Sequence, residues 1–501
     1  MTANDLALES LHTTATDIFR HALDNCSIES AFDRRIRLEG CHLHRLMAAD
    51  GESAALNLSD FKKIFVIAIG KAAPAMLDTL LSRMDRGRGV RGICCSNIVP
   101  HDRNWRIRYF EGGHPLPNEG SFAAARAALH LLHKARRDTL VIFLISGGSS
   151  ALFDLPIDPE ISLEDTMVFH QALIASGAPI TEINTVRKHF SAVKGGRLAQ
   201  AAPESQKISI LLPDVPLRSL DVLASGPTYP DSTSVENVKG ILTKYNLLAQ
   251  FPASIRSFFE RTGPSETPVR RVPLMPRIPW KAEPDLAPGL VDAFQNSIYE
   301  VLLSSLDLVE NARAEAEKLG FHTEIDSSCD DWDYAEAARY LLERFHALRS
   351  VHPRCCLISG GEVTVTLDRA PGAGGRNQQF ALACALELQK YAGEQLAVFS
   401  AGSDGIDGNT RSAGAIADPT TVSRAIAYGF DPAAALLEFN ACPMFTSLGD
   451  SVVTGPTGHN LRDLRLLISN SPASYGPQKT RWPQATAMLS ALYCFLELAE
   501  I

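Results

Sequence analysis

Residues 61–76 read FKKIFVIAIGKAAPAM: six apolar residues in a row, 64–69, run into Gly70-Lys71 and then into an alanine-rich segment. An uninterrupted apolar run that breaks at a glycine reads as a strand buried on both faces, followed by a turn and a helix. The pattern recurs in TLVIFLISGGSSALF (139–153) and QKISILLPDVP (206–216), with amphipathic helices expected in SFAAARAALHLLHKA (121–135) and TMVFHQALIASG (166–177). Alternation of this kind implies a doubly wound parallel sheet with helices on both faces, which we assign to a first α/β domain over residues 1–261.

Seven prolines, at 264, 268, 273, 276, 279, 284 and 288, mark residues 262–288 as an extended inter-domain linker, because proline cannot donate to a ladder. The alternation then restarts over 289–501. SIYEVLLSS (297–305), FHTEI (321–325), CCLISGG (355–361), EVTVTLD (362–368) and LAVFSAG (396–402) are expected strands of a smaller second α/β domain. The period-two pattern of EVTVTLD points to a mixed sheet there.

The chain has 501 residues, 45% hydrophobic and 21% charged, enough for two sizeable cores. Its net charge of −9, with Lys and Arg scattered, offers no basic face to nucleic acid or anionic lipid. No signal peptide or membrane span is legible, and ten cysteines without a C-x-x-C pair suit reduced thiols, so a cytoplasmic location is expected.

Ligands of open α/β sheets bind beyond the carboxyl ends of strands, so the post-strand loops are the candidate sites. Ser146, Gly147, Gly148, Ser149 and Ser150 could cradle an anion or simply make a tight strand-to-helix turn. Asp404 and Asp407 flank Gly405 and could bracket the Mg²⁺ of a nucleotide triphosphate, or cap the next helix. Lys71, Arg187, Lys188, Lys194, Arg197 and Arg376 lie in or near glycine turns, an inventory that suits phosphate charge. No Walker A loop, no G-x-G-x-x-G after a strand, no G-x-S-x-G and no H-E-x-x-H is present.

From about residue 10 to 470 the sequence resembles the type-2 glycerate kinases, whose C-terminal part is named MOFRL. The resemblance rests on VIAIGKAAPAM (66–76), GGHPLPNEGS (112–121), LISGGSSALFDLP (144–156), INTVRKHFSAVKGGRLAQAA (183–202), LASGPTYPDS (223–232), LISGGEVTVTLDRAPGAGGRNQQFALACAL (357–386), SAGSDGIDGNTRSAGAIAD (400–418) and TGPTGHNLRDL (454–464). It implies two Rossmann-like domains with the active site in the cleft between them, and ATP- and Mg²⁺-dependent phosphorylation of D-glycerate at the 2-hydroxyl. Lys71 and Arg376 match the family's catalytic cations, and Asp214 matches its acidic position after the third strand. The resemblance makes residues 146–150, Lys194, Glu362 and Asn377 candidates for ATP. Asn184, Arg187, Lys188, Thr454, Thr457 and Asn460 become candidates for glycerate, and Asp404 and Asp407 for the metal. Glycerate and ATP are the expected partners, with a homodimer as the candidate assembly.

The chain departs from the family pattern at Pro213-Asp214-Val215-Pro216-Leu217-Arg218, at Ser149, at Asn440-Ala441-Cys442 and at Leu302-Leu303-Ser304. These departures leave room for a close small hydroxy acid as acceptor. Two competing readings are an NAD(P)H-dependent hydroxypyruvate reductase, a name some members of the family have carried, and a non-catalytic metabolite-binding paralogue.

Overall fold

A computed structural model of the chain describes residues 3–40, 42–45, 55–85, 88–268, 293–367, 369–458 and 460–470. The chain divides into two compact units, Ala31–Leu302 and Met1–Ser30 with Leu303–Ile501.

The Ala31–Leu302 unit opens with a small antiparallel sheet of β1 (Ile36–Glu39), β2 (His42–Arg45) and β3 (Ala55–Asn57). Its main sheet has six parallel strands: β4 (Lys63–Ile69), β5 (Val90–Ser96), β6 (Ile107–Glu111), β7 (Thr139–Ser146), β8 (Gln206–Leu212) and β9 (Ser297–Val301), in the order β6-β5-β4-β7-β8-β9. Every residue of β7 and β8 is buried, as expected of central strands covered on both faces, and β7 is a nearly continuous apolar run. Counted along the chain, this is the order 3-2-1-4-5-6, whose direction reverses between β4 and β7. The loops after those two strands therefore flank the switch point, where an open parallel sheet leaves a crevice.

The other unit carries a mixed sheet of β10 (His322–Ile325), β11 (Cys355–Gly360), β12 (Leu396–Gly402), β13 (Gly414–Ala417), β14 (Ser451–Val452) and β15 (Asp463–Ser469), ordered β10-β11-β15-β12-β13-β14. Only the β10–β11 pair is parallel. Helix Tyr334–Val351 and helix Arg376–Leu388 bury Phe345, Leu348, Phe380, Cys384 and Leu388 with Leu357, Val398 and Leu467 of this sheet.

Four expectations change. The mixed character comes from β12–β15 and not from EVTVTLD, where only Thr364 forms an isolated bridge and the Glu362 backbone bonds instead to Asp330 and Asp331. SIYEV does not start the second domain; as β9 it pairs in parallel with β8, from Lys207↔Ser297 to Leu211↔Val301. Helix Ala3–Asp24 belongs with the second half, where Phe19 packs 5.0 Å from Phe399. The proline-rich stretch starts inside the first unit: Thr267 is 4% exposed and donates to Asp231 at 2.9 Å. The remainder of the expected linker, 269–288, lies outside the described residues.

Among the described residues all eight cysteines are free thiols, and no helix is long and apolar enough to cross a membrane.

Candidate functional site

In the Ala31–Leu302 unit the loops at the switch point interlock. Lys71 N donates to Gly147 O at 3.0 Å and Ala72 N to Ser146 Oγ at 3.1 Å, tying the end of β4 to the end of β7. This approach requires glycine at 70, where φ is +114° and a Cβ would lie 2.3 Å from Ser146 Oγ. At Gly147 a Cβ would lie 2.2 Å from Asp214 Oδ2, so the missing side chain brings the post-β8 carboxylate against the loop. Lys71 is exposed and forms no ion pair among the described residues. Its stem runs beside Gly148, whose Cβ would sit 3.1 Å from Lys71 Cε and 3.4 Å from His114. Burial, with Lys71 beside it, lowers the His114 pKa from its ordinary value.

Beside this loop is a cavity of about 130 Å³ lined by His114, Pro115, Gly148, Ser150, Ala151, His170 and Arg187. It is smaller than the roughly 300–1,000 Å³ of drug-sized sites, the scale of a small metabolite. Ser225 Oγ donates to Asn184 Oδ1 at 3.1 Å and lies 3.0 Å from Ser150 Oγ. A hydroxyl has one proton, so Ser150 is the donor to Ser225 and keeps its own lone pairs for a ligand. Ser225 is fully buried, and it and Ala224 hold φ of +60° and +55°. Two adjacent non-glycine residues in the left-handed region store about 1–3 kcal/mol each, strain of the kind that gathers at binding sites.

The expected cations separate into two classes. Lys71 is exposed beside the loop and Arg187 lines the cavity. Lys188 is 3% exposed and bridges Asp221 at 3.2 Å and Asp231 at 3.1 Å. Lys194 is 1% exposed and sits 2.5 Å from Asp154, which is fully buried. Both lysines thus neutralise buried carboxylates inside the unit, so the structure gives neither an open face for ligand. Ser146 and Ser149 are likewise buried, and Ser149 Oγ donates to Ser146 O at 2.7 Å. Gly147, Gly148 and Ser150 are the accessible part of the loop.

In the second unit the expected residues gather at one end of the sheet, around the ends of β11 and β12 and the start of β15. Arg376 Nε donates to Asp463 Oδ2 at 2.6 Å, and its Nη2 donates to Glu362 Oε1 at 2.6 Å. Burial alone would lower its pKa, but Asp463 and Glu362 overcome this and raise it, so the guanidinium is charged and fixed in direction. Thr457 Oγ1 donates to Ser403 O at 2.7 Å, Thr454 Oγ1 to Gly455 O at 2.9 Å, and Asn460 Oδ1 accepts from Arg462 N at 2.7 Å. These bonds shape the 403–408 and 454–462 loops.

Asp404 and Asp407 part company. Asp407 is 1% exposed, and its two oxygens accept Asn377 N at 3.0 Å and Gln378 N at 2.9 Å, capping helix Arg376–Leu388. Burial pushes its carboxyl up to about 7 against those two N–H groups. Asn377 is buried with it, accepting from Ser400 Oγ at 2.6 Å, so its side chain is internal as well. Asp404 is half-buried, with Oδ1 accepting from Ile406 N at 3.0 Å. Of the two carboxylates, Asp404 fits a cation carried in with a triphosphate, whereas both oxygens of Asp407 are committed to the helix. No group of three or more His, Cys, Asp or Glu able to hold a metal by itself occurs among the described residues.

Sequence reasoning missed His114, His170, Asp154 and Ser225. His114, Asp154 and Ser225 stand inside quoted motifs, GGHPLPNEGS, LISGGSSALFDLP and LASGPTYPDS, but nothing local marks them as site residues.

Residues 14–260 match the family described as Domain of unknown function (DUF4147), and residues 355–463 match the MOFRL family. A glycerate 2-kinase of Pyrococcus horikoshii is 34% identical over 414 residues, covering 82% of this chain and 88% of that protein. A protein of Agrobacterium vitis that carries a hydroxypyruvate reductase name is 33% identical over 407 residues, 80% of this chain and 86% of its own. The crystal structure of a glycerate kinase from Thermotoga maritima superposes with a TM-score of 0.74 at 28% identity, covering 92% of this chain and all of that one.

Proposed function

The chain belongs to the glycerate kinase family, and from that premise we propose that it transfers the γ-phosphoryl group of ATP to the 2-hydroxyl of D-glycerate. The observation that carries the proposal is the switch-point arrangement, with exposed Lys71 and the open Gly147-Gly148 backbone beside Asp214 and a small cavity lined by Arg187. Phosphoryl transfer needs positioning and charge stabilisation more than covalent help, and these are the groups for it. Arg187 faces the glycerate carboxylate, and Asp214 takes the hydroxyl proton as the hydroxyl oxygen bonds to phosphorus and the bond to the ADP oxygen breaks. Lys71 stabilises the charge on the transferring group, and in the other unit Arg376, held by Glu362 and Asp463, is a preorganised cation suited to phosphate.

Mg²⁺ bound to the triphosphate would spread its negative charge, and Asp404 is the carboxylate that would hold it. The reading places the reaction in the cytoplasm, where ATP is regenerated. The reductase alternative lacks a G-x-G-x-x-G turn after any strand.

Two assays on the purified protein separate the readings. Glycerate-dependent ADP release supports the kinase. NADH oxidation with hydroxypyruvate and no ADP release would overturn it.

A further inference from the structure

The groups lining the cavity of the Ala31–Leu302 unit are unevenly engaged. His170 lines it although only 3% exposed. Its Nε2 lies 2.8 Å from Asp154 Oδ2, and its buried Nδ1 has no hydrogen-bond partner among the described residues. Asp154 is fully buried, 2.5 Å from Lys194 Nζ, and accepts from Ser191 Oγ at 2.6 Å. Burial alone would raise its pKa, but Lys194 and His170 outweigh it and hold the carboxyl well below the usual range. An ionised carboxylate only accepts, so Nε2 must carry the imidazole proton. Burial, reinforced by Arg187 and Lys194, pushes His170 down to about 4, so the ring is neutral at physiological pH. Nδ1 is then a bare lone pair on a residue that lines the cavity together with the donor Arg187. A buried acceptor without a donor is costly, and the donor that a small hydroxy acid brings is an O–H.

We propose that His170, held by Asp154 in the Nε2–H tautomer, reads the substrate hydroxyl that is not phosphorylated, its Nδ1 accepting the O–H hydrogen bond and selecting a dihydroxy acid over its deoxy analogue. The assignment rests on the kinase reading only for the identity of the acid.

D-lactate is glycerate without the 3-hydroxyl, so kcat/KM for the two acids measures this contact directly. The wild type is expected to favour glycerate by roughly 10²-fold or more, because a site built around a hydroxyl rejects the analogue lacking it. His170→Leu should lower kcat/KM for glycerate by about 10²-fold while leaving lactate nearly unchanged. His170→Asn, whose Oδ1 stands close to the Nδ1 position, should recover part of the preference. A His170→Leu variant that melts like the wild type and discriminates as before overturns the proposal.

A second measurement needs neither turnover nor a variant. In protein labelled with ¹⁵N at histidine, NMR should show His170 protonated at Nε2, with Nδ1 shifting on addition of D-glycerate and not of D-lactate. Protonation at Nδ1, or no response to glycerate, overturns the assignment. A glycerate response without ATP consumption would sink the kinase reading and leave this one standing. Normal kinase activity with an indifferent His170 would do the reverse.

Discussion

Replacing Lys194 by methionine removes a charge from one of the most enclosed ion pairs in the protein. The lysine is 1% exposed, its partner Asp154 0%, and 2.5 Å separates them. Deleting one partner leaves a buried carboxylate served by Ser191, His170 and the backbone N–H of Leu155, all neutral. Breaking a buried pair in this way costs about 3–5 kcal/mol. For units of this size each kcal/mol moves the melting temperature by roughly 2–4 °C, so a fall of about 10 °C is expected. Thermal denaturation followed by calorimetry measures it. Adding Asp154→Asn to Lys194→Met should return several degrees, since the uncompensated charge is gone. At a temperature where both proteins are folded, KM for ATP should stay within about twofold, because the lysine has no free face. If Lys194→Met melts within 2 °C or so of the wild type and instead raises KM for ATP, the lysine is a ligand group and the structural assignment is wrong.

Lys71→Met is expected to behave in the opposite manner: melting unchanged, because the charge is exposed and unpaired among the described residues, and kcat with glycerate lower by about 10²–10³. Full kcat would remove Lys71 from the site. Asp407→Ala should lower stability by about 1–3 kcal/mol by stranding two buried N–H groups, whereas Asp404→Asn should raise the Mg²⁺ concentration needed for half-maximal rate. Titrations of rate against Mg²⁺ and melting curves separate the two, and the reverse pattern would exchange their roles. Burial alone would raise the Asp418 pKa, but His12, Thr420 and Arg424 lower it from 3.8 to about 2. Its contribution of about 2 kcal/mol is therefore present above pH 4 and lost as pH falls from 4 to 2. His12→Ala should shrink that acid limb of the melting profile, and an unaltered limb would contradict the assignment.

The parallel sheet was legible because β4 and β7 are central strands whose local runs are almost wholly apolar, and the glycine turns after them locate the site. Which sheet a strand joins is not a local property. Ser297–Val301 reads as a strand in either domain, and only its pairing with β8 assigns it. The same limit blurred the cations. Lys71, Lys188 and Lys194 look alike in sequence, and what separates them is whether Asp154 or Asp231 waits in the fold. EVTVTLD alternates like a strand, yet the Glu362 backbone is claimed by Asp330 and Asp331, contacts from a distant segment. His170 stayed hidden because its meaning depends on the carboxylate at Nε2 and the vacancy at Nδ1, neither of which a linear pattern shows.

The central claim, phosphorylation of glycerate at its 2-hydroxyl, is tested most directly by proton-coupled ³¹P NMR of the product formed from ATP, Mg²⁺ and D-glycerate. A phosphate on carbon 2 couples to a single proton and gives a doublet, as the account predicts, whereas one on carbon 3 couples to two and gives a triplet. A triplet, or no new phosphate ester at all, would contradict it.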